Sequence, residues 1–188
     1  MTNLAPAHFS LKHYEHMVEV GAFAGEYEKH IELLRGEIVA MSPIGPPHRA
    51  VVSRLNRWSY QAAPIDRIEI VSQGPVRIPI SDSEPEPDLV WVAQGNYFKR
   101  HPEPHEVLLL VEVAESSLPV DRGVKLGIYA EAGITDYWIV NLIDQQIEVH
   151  RSPAGRDYQD KSVFCGDSPV SPLALPTATL RPSRLFNS

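Results

Sequence analysis

Cys165 is the only cysteine, so an internal disulfide is excluded and no cluster of thiols can hold zinc. No run approaches the roughly 18 apolar residues of a membrane span. No basic segment followed by an apolar stretch opens the chain, so a signal peptide is not expected. Neither an internal repeat nor a low-complexity tract is present. A soluble, cytoplasmic protein with no membrane partner is the expectation. Cations are scarce, with 17 Lys and Arg against 24 Asp and Glu for a net charge of −7. That balance weighs mildly against nucleic acid as a partner, because phosphate contacts come from Lys and Arg. Distribution matters more than the total. From Ile38 to Ile65 the carboxylates are missing, while His48, Arg49, Arg54 and Arg57 all fall there. The result is a locally basic helix on an acidic molecule.

The chain has 188 residues, 43% of them apolar and 22% charged. This suffices for one domain with a real core, spanning residues 1–188, and is short for two. The 17 prolines cluster between apolar runs and read as loop punctuation. Ser168 to Ser188 is proline-rich and is expected to lie over the surface rather than to form a core element. Residues 10–20 fit a short helix with Ser10 as N-cap. Tyr27 to Met41 places Ile31–Leu34 and Ile38–Met41 around Gly36 and reads as a β-hairpin. Pro46 and Pro47 suit a first helical turn, and Val51, Val52, Leu55 and Trp58 follow at helical spacing. Arg67–Val71 and Pro75–Ile80 are β-like runs split by Gly74. Asp88–Val92 is a strand closed by Gln94-Gly95-Asn96. Val107–Ala114 is almost continuously apolar, as in a central strand buried on both faces. Residues 121–132 predict a helix ended by Gly133, followed by strands over 136–142 and 146–150. Trp58, Trp91 and Trp138 are assigned to the core.

Glu112 breaks this pattern. It lies in the most apolar strand, where an ionised carboxylate costs several kcal/mol unless it is paired or bound to a cation. Strand alternation puts Leu108, Leu110, Glu112 and Ala114 on one face, and Val107, Leu109, Val111 and Val113 on the other. If strands 88–92 and 107–114 pair antiparallel, Asp88 at the start of one meets Glu112 near the end of the other. Adjacent carboxylates repel, and a divalent cation with all-oxygen ligands, Mg²⁺ or Mn²⁺, relieves the repulsion. Asp121, Lys125 and Tyr129 recur at i, i+4, i+8 and share a helix face. A lysine directed from there at the carboxylates can orient or activate a water. These are the parts needed for metal-assisted phosphodiester hydrolysis.

Pro87-Asp88 followed by Glu112-Val113-Ala114 resembles the PD-(D/E)XK nuclease signature. The longer set resembles the Uma2 family of restriction-endonuclease-like proteins. It comprises Glu32-Leu33-Leu34-Arg35-Gly36-Glu37, Met41-Ser42-Pro43, His48, Pro87-Asp88-Leu89-Val90, Glu112-Val113-Ala114-Glu115-Ser116-Ser117, Asp121, Lys125, Tyr129, Ala132-Gly133-Ile134 and Tyr137-Trp138. The match runs in order from about Tyr27 to His150. It implies an α/β, restriction-endonuclease-like mixed sheet flanked by helices, with an N-terminal β-hairpin extension. In the parent signature a lysine stands two residues after the glutamate, where this chain has Ala114; the resemblance implies that Lys125 replaces it from the helix.

These readings make Asp88, Glu112 and Lys125 the catalytic candidates, with Asp88, Glu112 and the Val113 carbonyl holding Mg²⁺ or Mn²⁺. His48, Arg49, Glu37 and Tyr129 are candidates for substrate contact, and Glu32 and Glu37 for additional metal or water ligands. Plainer readings stand beside them. Asp88 could merely end a loop, Arg77 could neutralise Glu112, Lys125 could pair with Asp121 on the surface, and His48 could be a solvated cap. The expected function is a Mg²⁺-dependent DNA endonuclease, working as a homodimer. A nuclease fold that only binds nucleic acid, and a metal-dependent hydrolase of a small phosphorylated substrate, are the alternatives.

Overall fold

A computed structural model describes residues 7–25, 31–41 and 43–186. The start of the expected hairpin at Tyr27 and the Ser42 of the family motif lie outside the described residues. Among the described residues no helix is long and apolar enough to cross a membrane.

Helix α1 (Leu11–Glu19) is capped as its sequence predicts, with the Ser10 hydroxyl accepting from the His13 backbone N–H at 3.3 Å. Strands β1 (Ile31–Leu34) and β2 (Glu37–Ala40) form the hairpin. Arg35 and Gly36 both have positive φ at its turn, a conformation that glycine adopts without steric cost. Helix α2 (Pro46–Ala62) begins on its two prolines and buries Val51, Val52 and Leu55. Strands β3 (Ile68–Ser72), β4 (Leu89–Ala93), β5 (Val107–Ala114), β6 (Asp136–Asn141), β7 (Gln146–Ala154) and β8 (Asp157–Cys165) form a six-stranded sheet in sequence order. Every neighbouring pair is antiparallel except β5 and β6, which run parallel. The β5–β6 connection carries helix α3 (118–131), and helix α4 (Ser183–Phe186) closes the chain.

The sheet is covered on both faces. On one, α2 and the C-terminal segment pack over Leu89, Trp91, Leu109, Val111, Val113 and Trp138. On the other, α3 and hairpin residues pack over Val90, Leu110, Ala114, Tyr137 and Ile139. Trp91 and Trp138 are fully buried, and the half-buried Trp58 stacks on both, with ring centroids 5.1 and 6.1 Å away.

Three local expectations are corrected, and one strand had not been anticipated. Pro75–Ile80 is not a strand: Ile78 makes one isolated bridge to Ser83, and Pro79–Ser81 is a short 3₁₀ turn. Pro75 and Pro79 have no N–H to give to a ladder. The alternation in β5 is broken by a bulge, since Trp91 pairs with Leu109 but Val92 with Val107. Val107 therefore joins the Glu112 face and Leu108 the opposite one. The proline-rich tail is not a surface cover, because Val170, Ala178, Leu180 and Leu185 are buried in the core. Finally, β8 gave no apolar signal: it is an edge strand, largely exposed, and polar side chains on an edge guard against unwanted pairing.

One core residue sits in a setting poorly suited to it. His150 on β7 is buried between Tyr137 and Tyr158, at centroid distances of 5.6 and 5.9 Å, and neither ring nitrogen has a hydrogen-bond partner among the described residues. Burial holds its pKa below the usual 6.5. The unfolded chain therefore binds this proton more readily, and stability that is complete above pH 6.5 is lost as the pH falls. His150→Phe should remove an unsatisfied buried donor and raise stability by about 1–2 kcal/mol. The loss of melting temperature between pH 7 and pH 5 should flatten. A variant whose melting temperature falls, with the same pH slope, would contradict this.

Candidate active site

The register fixes the two acids. Leu89 pairs with Val111, so the next antiparallel step sets Asp88 opposite Glu112, where facing side chains have Cβ atoms about 5 Å apart. Asp88 precedes the first residue of β4, and its Oδ2 accepts the Val113 backbone N–H at 2.8 Å. The N–H and C=O of one strand residue point to the same side, so the Val113 carbonyl also faces Asp88. The neighbouring Ala114 carbonyl points the other way and accepts from Leu142. Val113 thus presents a carbonyl beside the two carboxylates.

His48, in the first turn of α2, brings Nε2 to 3.0 Å from Asp88 Oδ2. Burial would depress its pKa, but the Asp88 carboxylate and, in smaller part, Asp121 and the Val113 backbone raise it above the ordinary value. It is neither a cap nor a solvated residue.

Lys125 is the charge centre. Helix α3 opens as α-helix over Leu118–Val120, continues as a π turn over Asp121–Lys125 and returns to α-helix over Leu126–Glu131. π turns recur where a helix aims side chains at a functional site. Asp121 and Lys125, 2% and 5% exposed, both lie on this turn. Lys125 Nζ donates to Glu112 Oε1 at 3.0 Å and to Glu32 Oε1 at 2.8 Å. Burial works against its charge, but Glu112, Glu32 and Asp121 overcome it and hold the ammonium above its ordinary pKa. The surface pairing of Lys125 with Asp121 is thereby excluded. So is neutralisation of Glu112 by Arg77, which binds Glu15 and Glu103 instead.

Tyr129, fully buried, donates its hydroxyl to Glu112 Oε1 at 2.7 Å. It is not among the residues that line the cleft, and its hydroxyl positions Glu112. Each carboxylate therefore uses one oxygen internally. Among the described residues, Asp88 Oδ1 and Glu112 Oε2 receive no hydrogen bond.

His48, Asp88, Glu112, Val113 and Lys125 line a cleft of about 990 Å³ bounded by α1, the hairpin, the start of α2 and the start of α3. Two sequence candidates fall elsewhere. Glu37 is exposed at the hairpin turn, 3.9 Å from His8, and Arg49 lies on the outer side of α2 in a shallow depression with Ala50 and Ser53. Glu32 does enter the cleft, where its Oε1 also accepts the Glu86 N–H at 2.7 Å. Asp121, Glu84 and Glu86 line the cleft too and were missed as site residues. Glu84-Pro85-Glu86-Pro87-Asp88 did carry a signal, because alternate residues of an extended run share one side.

The electrostatics are lopsided. Burial, with Asp88 and Glu32 adding, pushes Asp121 up to about 6 against the pull of Lys125. Burial likewise raises Glu112 well above the carboxylate range, and Asp121, Asp88 and Glu32 add to it. Glu32, Glu84, Glu86, Asp88, Glu112, Glu115 and Asp121 face one lysine, Lys125, and two histidines, His48 and His101, among the described residues. That excess of negative charge fits a divalent cation. Among the described residues no cluster of three or more side chains forms a metal cage. Two carboxylates and a carbonyl, with water and substrate oxygens completing the shell, suit Mg²⁺, which keeps several waters.

The mixed sheet with helices on both faces and the acids at one end is a restriction-endonuclease-like architecture. The chain is similar to the crystal structure of "a putative nuclease belonging to DUF820" from Anabaena variabilis, with a TM-score of 0.71 and 16% identity over 95% of this chain and 97% of that one. A likeness at this identity defines the fold. The model of the Uma2 family, described as "Putative restriction endonuclease", matches residues 14–183, and the chain belongs to that family. No match was found among curated proteins.

Removal of Lys125 tests the charge balance. Lys125→Met leaves Glu112, Glu32 and Asp121 without their common partner, and breaking a buried pair costs about 3–5 kcal/mol. The loss should be full at pH 8 in the absence of metal. It should shrink as the pH falls towards 6, because Asp121 without the pull of Lys125 takes up its proton above the value of about 6 that it has beside the lysine. A variant as stable as wild type at pH 8 would refute this balance.

Proposed function

We propose that this chain is a Mg²⁺- or Mn²⁺-dependent endonuclease that hydrolyses phosphodiester bonds in DNA. The observation that carries the reading is the pair of free oxygens, Asp88 Oδ1 and Glu112 Oε2, on facing carboxylates whose other oxygens are fixed by Val113, His48, Lys125 and Tyr129. Membership of the Uma2 family supports it.

Asp88, Glu112 and the Val113 carbonyl are the groups that would hold the cation. A bound divalent ion polarises the scissile phosphoryl group and acidifies a water at neutral pH. Asp88 is held by the Val113 N–H, and Glu112 by Tyr129 and Lys125, so neither ligand has to be reorganised. Lys125 remains cationic and cannot serve as the general base. With two of its three N–H donors given to Glu112 and Glu32, the third can orient the attacking water or meet a phosphoryl oxygen. It thereby stabilises the charge that develops in the transition state. His48 donates towards Asp88 from the opposite wall and can meet the substrate at the cleft. Two such sites in a cytoplasmic homodimer would serve the two strands of a duplex, a C2 pair being the commonest soluble assembly.

Nicking of plasmid DNA in Mn²⁺, combined with Mn²⁺ titration, tests the reading. Wild type should bind Mn²⁺ and nick, and should elute as a dimer in light scattering. Asp88→Asn and Glu112→Gln should lose both metal and cleavage. Lys125→Met, assayed well below its lowered melting temperature, should keep Mn²⁺ and lose about 10²–10⁴-fold in rate. Metal binding without cleavage of any DNA would favour a small phosphorylated substrate. Absence of both would favour a binding module.

A further inference from the structure

The arginines of this protein sort into two groups. Arg35, Arg77, Arg100, Arg122, Arg151 and Arg156 are each within an ion pair. Arg49, Arg54, Arg57, Arg67, Arg181 and Arg184 have no carboxylate partner among the described residues. All six lie on α2, just after it, or on the C-terminal segment packed beside it. The carboxylate-free stretch of the sequence is thus a physical surface.

Its geometry follows from how α2 is held. Val51, Val52 and Leu55 face the sheet. Arg54 donates to the Leu185 carbonyl, and the Trp58 indole N–H to the Thr179 carbonyl at 3.3 Å. These bonds hold the C-terminal segment, including α4, against α2. Among the residues that α2 leaves exposed, Arg49, Ser53, Arg57 and Tyr60 recur at spacings of four, four and three and make one stripe, flanked by Ala50 and Gln61. The exposed Arg184 of α4 stands next to Leu185. Among the described residues the nearest carboxylates are Glu115 beside Gly45, Asp66 beyond the last turn of α2, and Asp167, which accepts from the Ser183 hydroxyl next to Arg184. Arg49 and Arg57 are separated by about 12 Å of helix axis, close to the roughly 12 Å width of the DNA major groove. The stripe begins next to His48 at the cleft.

We propose that the outer face of α2, together with Arg184, is a track for the phosphate backbone of duplex DNA leading away from the cleft. Arg49, Arg57 and Arg184 neutralise phosphates there, and Ser53 and Tyr60 offer hydroxyls to the same oxygens. The idea deepens the nuclease reading and rests on it for the nature of the polyanion. It also explains how a chain of net charge −7 can hold DNA: elsewhere its guanidiniums are neutralised internally, and here they are not.

Fluorescence polarisation with a labelled duplex in Ca²⁺, over a series of salt concentrations, tests the track. The Arg57→Gln/Arg184→Gln double variant removes two exposed charges. The slope of log K against log salt should become shallower by about 2, and affinity at low salt should fall by about tenfold or more. Melting temperature and Mn²⁺ affinity should not change. A wild type that does not bind duplex, or a double variant with unaltered slope and affinity, would overturn the proposal. DNA that binds with the expected dependence but is not cut in Mn²⁺ would remove the nuclease reading and leave the track standing.

Discussion

The buried ammonium of Lys125 is the constraint on which the site depends. A lysine 5% exposed is costly unless its charge is met, and Glu112 and Glu32 meet it at 3.0 and 2.8 Å. Those acids come from the central strand β5 and from the hairpin, and the lysine comes from the π turn of α3. One ion-pair set therefore ties together three elements that the hydrophobic core alone would allow to slide. Tyr129 adds a hydroxyl to the same Glu112 oxygen, which leaves the other oxygen in a defined place. Desolvation makes the arrangement expensive, and it is better understood as specifying geometry than as adding stability.

A second feature is the separation of charge by region. The cleft collects acids in excess of its cations, and the face of α2 collects guanidiniums without acids. His48 joins the two, since it starts the helix that carries the arginines and touches the acid that opens β4. A catalytic cation and a polyanionic substrate need opposite fields, and this chain supplies both within the length of one helix.

Much of this was legible in the residues, for physical reasons. The antiparallel pairing of β4 with β5, which brings Asp88 towards Glu112, followed from two apolar runs of strand length and one misplaced carboxylate, and a single acid in a buried strand is a strong anomaly. The α2 start followed from Pro46 and Pro47, and the α1 cap from Ser10. What failed was whatever depended on tertiary context. The bulge at Leu108 has no local signature, so face alternation in β5 was wrong on one side of it. The edge strand β8 needs no buried face and gave no apolar period. The tail was misjudged because prolines spaced among Val170, Leu180 and Leu185 look like linker until a core surface receives the apolar side chains. Tyr129 shared a helix face with Lys125, but spacing alone could not tell a residue that holds a ligand from one that touches substrate. Glu37 lies exposed at the hairpin turn and Arg49 on the outer side of α2, placements that depend on how each element packs. Glu84 and Glu86 were overlooked although the alternating prolines marked an extended run.

The central claim is that Asp88 and Glu112 share one divalent cation. Anomalous diffraction from crystals grown with Mn²⁺ tests it most directly. The account predicts one peak between the two carboxylates, within about 2.0–2.6 Å of an oxygen of each and of the Val113 carbonyl, with Lys125 still bound to Glu112. A cleavage-competent protein whose anomalous peak lies elsewhere, or touches only one of the two acids, would contradict it.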